Sequence, residues 1–428
     1  MSIIRGRNRF RDGIPGSTLL VGFWQAQRLV IQAMWLVLVA RILGPGEFGK
    51  FAGLVGLAAT LGGISGLGFG LVMFQDAVRD PSVLGDRWRT TLLVTLLSGI
   101  ALTLGYLIVG PTLTATSAPL MALVAVAIAE LVAFPVTSAS TFAFAAHERM
   151  GWSAALPTLM AYNRLAATAV VWVLFEHPTL LHVAIAHVIA SCTTSSFSVA
   201  AVAGVLRPPL GRVRLEMRAF REGFGFCSVW TGTSALSSLD KAMALRWGAG
   251  EIAGLYSVVY RVSAIFAMPI EAMTTSSTPR LFRSFHRGNH ERRLVGQLAL
   301  GALAYSVMAG GILWCAAPLA PHVFGIEFMA AVPATRVMTL FIPLYGLRVL
   351  GGNILLARGL KHVQSAFQVV GVVVMVVSGK FLISEFGLWG CVYTILATEA
   401  LLCLMIWTTI VRAKPRIAIP IPHQIVSN

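Results

Sequence analysis

Two stretches of this chain read alike: Arg41-Ile-Leu-Gly-Pro-Gly-Glu-Phe-Gly-Lys-Phe51 and Arg246-Trp-Gly-Ala-Gly-Glu-Ile-Ala-Gly-Leu-Tyr256. Each gives an arginine, then G-x-G-E, then a glycine and an aromatic, and each opens a long apolar run. Such runs fill the chain. Of its 428 residues 57% are hydrophobic and only 12% are charged, about half the charged share of a soluble globular protein. The mean hydropathy is +0.79, and the apolar residues fall in blocks of about twenty, the length a helix needs to cross a hydrocarbon core. The composition is that of an all-α, polytopic membrane protein, and it excludes a soluble enzyme, a nucleic-acid binder and a secreted disulfide scaffold. Cys192, Cys227, Cys315, Cys391 and Cys403 are scattered through apolar blocks without CxxC spacing, so they read as small hydrophobes.

Working outward from the repeat, the hydropathy predicts twelve spans at about 17–43, 47–74, 90–110, 117–140, 156–176, 180–206, 222–245, 251–275, 295–316, 333–357, 363–383 and 387–411. Each must be helical, because an isolated span in lipid has to satisfy its own backbone hydrogen bonds. The basic N-terminus resembles the start of a signal peptide, but the apolar run behind it is too long and lacks a cleavage site. Lys and Arg divide unevenly between alternate loops. One set of segments, including both tails, holds 23; the other holds Arg41, Lys50, Lys241 and Arg246. By the positive-inside rule both termini are expected in the cytoplasm, and the net charge of +16 records insertion, not nucleic-acid binding. The repeat opens spans 2 and 8, six apart, and predicts two parallel six-helix lobes. The expected organisation is a cytoplasmic N-tail (1–16), an N-lobe (17–206), a basic inter-lobe linker (207–221), a C-lobe (222–411) and a cytoplasmic C-tail (412–428). Repeats of this kind build transporters whose substrate site lies between the halves near the midplane.

ARILGPGEFGKFA (40–52) followed by GLGFGLVMF (66–74) resembles the N-terminal signature of the polysaccharide-biosynthesis flippases, the Wzx-type members of the multidrug/oligosaccharidyl-lipid/polysaccharide exporter superfamily. SSLDKAMALRWGAGEIAGLYSVVYRVS (237–263) is similar to the second-lobe stretch of that family, with Asp240-Lys241 where Asp-Arg is more usual; TPRLFRSF (278–285) and LLARGLKH (355–362) fit later positions. The resemblance implies translocation of an undecaprenyl-pyrophosphate-linked oligosaccharide from the cytoplasmic to the periplasmic leaflet of a bacterial inner membrane. Alternating access is the implied mechanism, for exopolysaccharide, O-antigen or capsule export alongside polymerase and export machinery. It implies no cofactor, no metal and no catalytic residue, since no group is transferred.

Charge inside the membrane is costly and marks cavities or partners. Six cations fall within the predicted spans: Arg28, Arg164, Arg261, Arg336, Arg348 and Lys380; the acids there are Glu130, Glu271 and Glu399. A cationic excess suits a pyrophosphate, which a guanidinium binds with two parallel hydrogen bonds. Arg336 and Lys380 lie near span ends and can snorkel. Gln25, Arg28, Gln32 and Trp35 share one helical face that must line a cavity or an interface. In span 8, Ser257, Arg261, Ala264, Met268 and Glu271 repeat the pattern, with Tyr260 beside them as a sugar-stacking surface and Tyr256 read as an interfacial anchor. Arg164 and Arg348 stand where either would meet a pyrophosphate on entry. Glu130, Glu399 and Asp240 are candidates for ion coupling or for charge pairing. Gly62, Gly66 and Gly70 are expected to form a helix-packing face.

Two rival readings are weaker. Another twelve-helix secondary transporter, exporting drugs or small molecules, fits the span count; but Gly85-Asp86-Arg87-Trp88-Arg89 only brushes against the major-facilitator loop pattern, and an arginine-lined cavity suits organic cations poorly. A membrane polysaccharide polymerase would need a sizeable outer loop, which this chain lacks.

Overall fold

The computed structural model describes residues 14–209, 211–287 and 291–412; most of both tails lies outside the described residues. The helices are α1 (Ile14–Gly62), α2 (Phe69–Arg79), α3 (Leu84–Thr114), α4 (Leu120–Ala127), α5 (Phe134–Ala146), α6 (Met150–Leu174), α7 (Leu180–Ala201), α8 (Met217–Arg287), α9 (Glu291–Ala316), α10 (Ala320–Phe324), α11 (Ala331–Val337), α12 (Phe341–Ala357), α13 (Lys361–Phe386) and α14 (Leu388–Arg412). No strand occurs among the described residues. Nine helical stretches there are long and apolar enough to cross a membrane, which makes this a multi-pass membrane protein.

Two of those stretches are too long for one crossing. α1 has 49 residues, about 73 Å at 1.5 Å per residue, against a hydrocarbon core of about 30 Å. It breaks at Gly44, whose backbone is φ 65°, ψ 172°, a region open essentially to glycine alone. α8, of 71 residues, breaks at Ala249 with φ 66°, ψ 175°. Gly44 lies three residues after Arg41, and Ala249 three after Arg246. The sequence repeat is therefore also a backbone repeat, bent in the same conformation at the same place. α6, 25 residues long, has the length to cross, but Asn163 and Arg164 interrupt its apolar character.

The two halves of the chain meet chiefly along α1 and α8, and at the bends they meet through glycine. A Cβ on Gly49 would fall 1.7 Å from the Gly250 carbonyl oxygen, and one on Gly254 would fall 2.0 Å from that of Pro45. Only residues without side chains allow so close a backbone approach. Beside this contact Arg41 closes over the end of α10, donating from Nε to the Val323 carbonyl at 2.6 Å and from Nη2 to that of His322.

At the opposite end the segment before α8 is strapped to α2 and α3 by charge. Arg87 bridges Asp76 (2.8 Å) and Glu216 (2.9 Å), Arg218 reaches Asp76 at 2.9 Å, and Arg214 meets Asp86 at 3.0 Å. The sequence motif around Asp86-Arg87 thus serves the linker. The hydrogen bond from Arg87 holds the Glu216 carboxyl below its ordinary value. That pair is therefore intact above the usual carboxylate range and is lost only as pH falls through the depressed value.

The expected second run, 47–74, is not one helix. α1 ends at Gly62 and a short 3-10 turn (Ser65–Gly68) follows, with Gly66, Leu67 and Gly68 all at positive φ. Gly62, Gly66 and Gly70 consequently do not form a continuous packing face. The unwound backbone is satisfied from neighbouring helices: the Gly66 N–H donates to Ser98 Oγ at 2.8 Å, and Ser65 Oγ donates to the Leu131 carbonyl at 2.7 Å. Leu131 itself lies in a π-helical turn (Ile128–Ala133) between α4 and α5.

The bend at Ala249 generates a prediction. An alanine in a glycine-only region costs about 1–3 kcal/mol, so Ala249→Gly should raise the thermal unfolding midpoint of the detergent-solubilised protein. An unchanged or lower midpoint would show that the bend carries no strain.

Candidate functional site

A cavity of about 350 Å³ lies between the two halves, lined by Arg28, Gln32 and Trp35 of α1, Glu130, Arg164 of α6, and Trp230 and Arg261 of α8, among others. A second hollow of about 220 Å³ shares Gln32, Val55, Ala59 and Arg261 with it and adds Lys241, Ser257, Tyr260, Ala264 and Met268. A third, of about 300 Å³, is mainly apolar; it adjoins the first through Glu130, Phe134 and Trp230 and is walled by the unwound glycines 66 and 68. The polar faces of α1 and α8 thus point into connected space.

Arg28 is half-buried, Arg261 and Gln32 are exposed to the cavity, and Gln25 is exposed without belonging to its lining. Neither Arg28 nor Arg261 has an ion-pair partner within 4 Å among the described residues. Arg164 does. Its Nη2 donates to Glu130 Oε1 at 2.9 Å and to Ser191 Oγ at 3.1 Å, and its Nε reaches the same hydroxyl at 3.2 Å. His187 Nε2 lies 2.8 Å from the same Glu130 oxygen. The imidazole is fixed by rings, stacked on Trp35 at 5.7 Å and edge-on to Phe51 at 5.5 Å. Trp35 in turn donates from Nε1 to Thr168 Oγ1 at 3.0 Å.

The second half carries matching pairs. Arg348 Nε donates to Glu399 Oε2, and its guanidinium lies 5.0 Å from the Tyr345 ring centroid; it lies outside the linings of the three hollows. Asp240 holds Lys241 Nζ at 2.8 Å and accepts from Tyr256 Oη at 2.6 Å. Lys241 Nζ also sits 3.2 Å from the centroid of the Tyr260 ring. Two expectations change here, and one alternative is met: Asp240 pairs with Lys241 inside α8. Lys241 is not a loop residue but a buried one within α8, because that helix runs on to the Ala249 bend. Tyr256 is fully buried against Asp240 and is not an interfacial anchor. Arg336 lies over the Trp314 ring at 5.4 Å.

Sequence reasoning missed His187 of α7, which stands 57 residues from its partner Glu130. It also missed the unwound segment 63–68 and the π turn that carries Glu130. The cluster of Gly62, Gly63, Gly66, Gly68 and Gly70 was the available signal for the first.

Residues 20–285 match the family model described as polysaccharide biosynthesis protein. The chain belongs to this family. In fold, it superposes on a multidrug resistance MATE family transporter of the MOP superfamily in an inward-facing conformation, with a TM-score of 0.73 at 14% identity over 90% of this chain and 97% of that one. The outward-facing conformation of a MATE family transporter gives 0.62 at 14% identity, covering 92% and 94%. The lipid II flippase MurJ in an inward closed conformation gives 0.70 at 10% identity, covering 92% of this chain and 87% of that one. No curated protein matches this chain in sequence. The family member described here therefore shares the fold of these structures.

Removing one partner of a buried ion pair leaves an uncompensated charge and costs about 3–5 kcal/mol. Arg164→Ala should accordingly lower the unfolding midpoint sharply, and adding Glu130→Ala should restore part of the loss. Additive losses in the double variant would show that the pair is not coupled.

Proposed function

We propose that this protein is a flippase that moves an undecaprenyl-pyrophosphate-linked oligosaccharide from the cytoplasmic to the periplasmic leaflet of a bacterial inner membrane. It serves export of exopolysaccharide, O-antigen or capsule and transfers no group. The observation that carries this reading is the convergence of Arg28, Arg164 and Arg261 on one cavity whose sole acid among the described residues, Glu130, is already paired. The excess positive charge fits a pyrophosphate, and the guanidinium fork fits its oxygens. An organic cation would be repelled by the same lining. Trp230 offers a ring face to the sugars, whereas the ring of Tyr260 is covered by Lys241. The apolar hollow beside the arginines suits the first part of the polyprenyl chain.

In this reading the chain forms two six-helix lobes, 17–206 and 222–411, joined by the linker, with both termini in the cytoplasm. The glycine contact between residues 45–49 and 250–254 is then the closed periplasmic side of an inward-facing state, and the two lobes rock about the cavity. In a cysteine-free background a membrane-impermeant thiol reagent added outside intact cells should label Glu176→Cys and spare Asp80→Cys. The opposite pattern overturns the orientation.

The mechanism is tested on the arginines. Alanine at Arg28 or Arg261 should abolish surface polysaccharide while the protein still inserts, with the lipid-linked precursor accumulating on the cytoplasmic leaflet. Lysine keeps the charge but loses the planar fork, so Arg→Lys should be partly defective, and the same change at Arg336 should be silent. Normal polysaccharide from a well-expressed Arg28→Ala, Arg261→Ala double variant would refute the mechanism.

A further inference from the structure

Arg164 differs from the other two cavity arginines: it is held by an acid. Its side chain keeps 16% of its surface accessible at the cavity wall, whereas Glu130 keeps 8% and His187 1%. The triad reads as cation, carboxylate and imidazole in order of depth. Glu130 Oε1 receives both Arg164 Nη2 and His187 Nε2. The other imidazole nitrogen, His187 Nδ1, is buried without a hydrogen-bond partner. The flanking rings of Trp35 and Phe51 leave the imidazole no room to turn away.

We propose that the Glu130–His187 pair is a proton-binding site that loads when an anionic ligand in the cavity takes Arg164 from it. This deepens the reading of the cavity as a pyrophosphate site and rests on it. Arg28 and Arg261, free of ion pairs, draw the anion in; its further oxygens then compete with Glu130 for the Arg164 guanidinium. Once Arg164 turns to the ligand, Glu130 is a buried carboxylate without its cation and next to a second negative charge. Both conditions favour the protonated form. One proton from cavity water, taken by the Glu130 carboxylate or by the bare His187 Nδ1 while Nε2 keeps the hydrogen it donates, removes the net buried charge.

The other charged and titratable groups around Glu130 do not replace that proton. From α3, Tyr106 faces it, but the hydroxyl donates to the Leu54 carbonyl at 3.1 Å. Arg28 from α1 and Arg261 from α8 line the same cavity and are claimed by the ligand. Ser191 from α7 is bonded to Arg164 itself. Anion binding and proton binding are thus coupled at one site, and the coupling is reciprocal.

The test is calorimetric titration of farnesyl pyrophosphate into the full-length, detergent-solubilised protein at pH 8, in two buffers of different ionisation enthalpy. At that pH the ligand is about two units above its last phosphate ionisation, near 6, so it contributes little proton exchange. The wild type should take up about one proton per ligand bound, and its dissociation constant should rise by up to about tenfold per pH unit between pH 7 and pH 8. Glu130→Gln should bind with no uptake and with a flat profile over that range. Binding by the wild type without proton uptake overturns this proposal and leaves the pyrophosphate site standing. Equal uptake by Glu130→Gln overturns it too. Failure of the wild type to bind farnesyl pyrophosphate at all overturns the site and the proposal together. If Glu130→Gln does not insert, the wild-type proton count decides alone.

Discussion

A charge inside a hydrocarbon-spanning bundle must be paired or reach water, and this requirement organises the interior of the protein. Glu130 is met by Arg164 and His187, Glu399 by Arg348, and Asp240 by Lys241 and Tyr256. Each acid is neutralised within its own half of the chain. Arg28 and Arg261 are left over, and they stand where α1 and α8 face the same cavity. The chemistry of the cavity is thus the remainder after close internal pairing: guanidinium groups with no ion-pair partner within 4 Å among the described residues, Arg28 having only the more distant charge of Glu271.

The backbone obeys the same rule. At the unwound turn of residues 63–68, side chains and neighbouring helices supply the missing partners. The unwound turn at 63–68 and the π turn at 128–133 meet each other, joined by the Ser65 hydrogen bond to the Leu131 carbonyl. Glu130 lies in that π turn, so the irregular backbone and the buried triad occupy one place. π turns are frequent at functional sites because the extra residue re-aims the side chains around it. Here it brings Glu130 toward α6 and α7 at once.

The two ends of the α1–α8 seam are held by different physics. Around the bends at Gly44 and Ala249 backbone lies on backbone without intervening side chains, a contact that depends on shape and tolerates no added methyl group. At the linker end the contacts are ion pairs that run from the largely buried Asp76–Arg87 pair outward to the exposed Arg214 and Arg218. The exposed pairs are individually weak and adjustable. The strap fixes where α8 begins relative to α2 and α3 without demanding one exact geometry.

The sequence by itself determined the class of protein, the positions of most helices, the internal repeat and the excess of cations over acids. All of these depend on local composition or on spacings of three and four residues, which a helix turns directly into faces. That is why the stripes Gln25–Trp35 and Ser257–Glu271 were legible, and why the family resemblance could be read from helix-end motifs. The tertiary structure alone decided which charges neutralise one another. Arg164 and Glu130 are 34 residues apart, and His187 and Glu130 are 57 apart; no helical period links them, only the packing of α6 and α7 against the π turn. Lys241 looked like a loop residue because the charged pair Asp240-Lys241 near the end of an apolar run reads as its boundary, whereas the helix runs on to the bend at Ala249. The glycines at 62–70 looked like a packing face because spacing reports where side chains would point if the helix continued. Whether it continues is settled by neighbours such as Ser98 and Leu131, which accept the hydrogen bonds that the unwound turn offers.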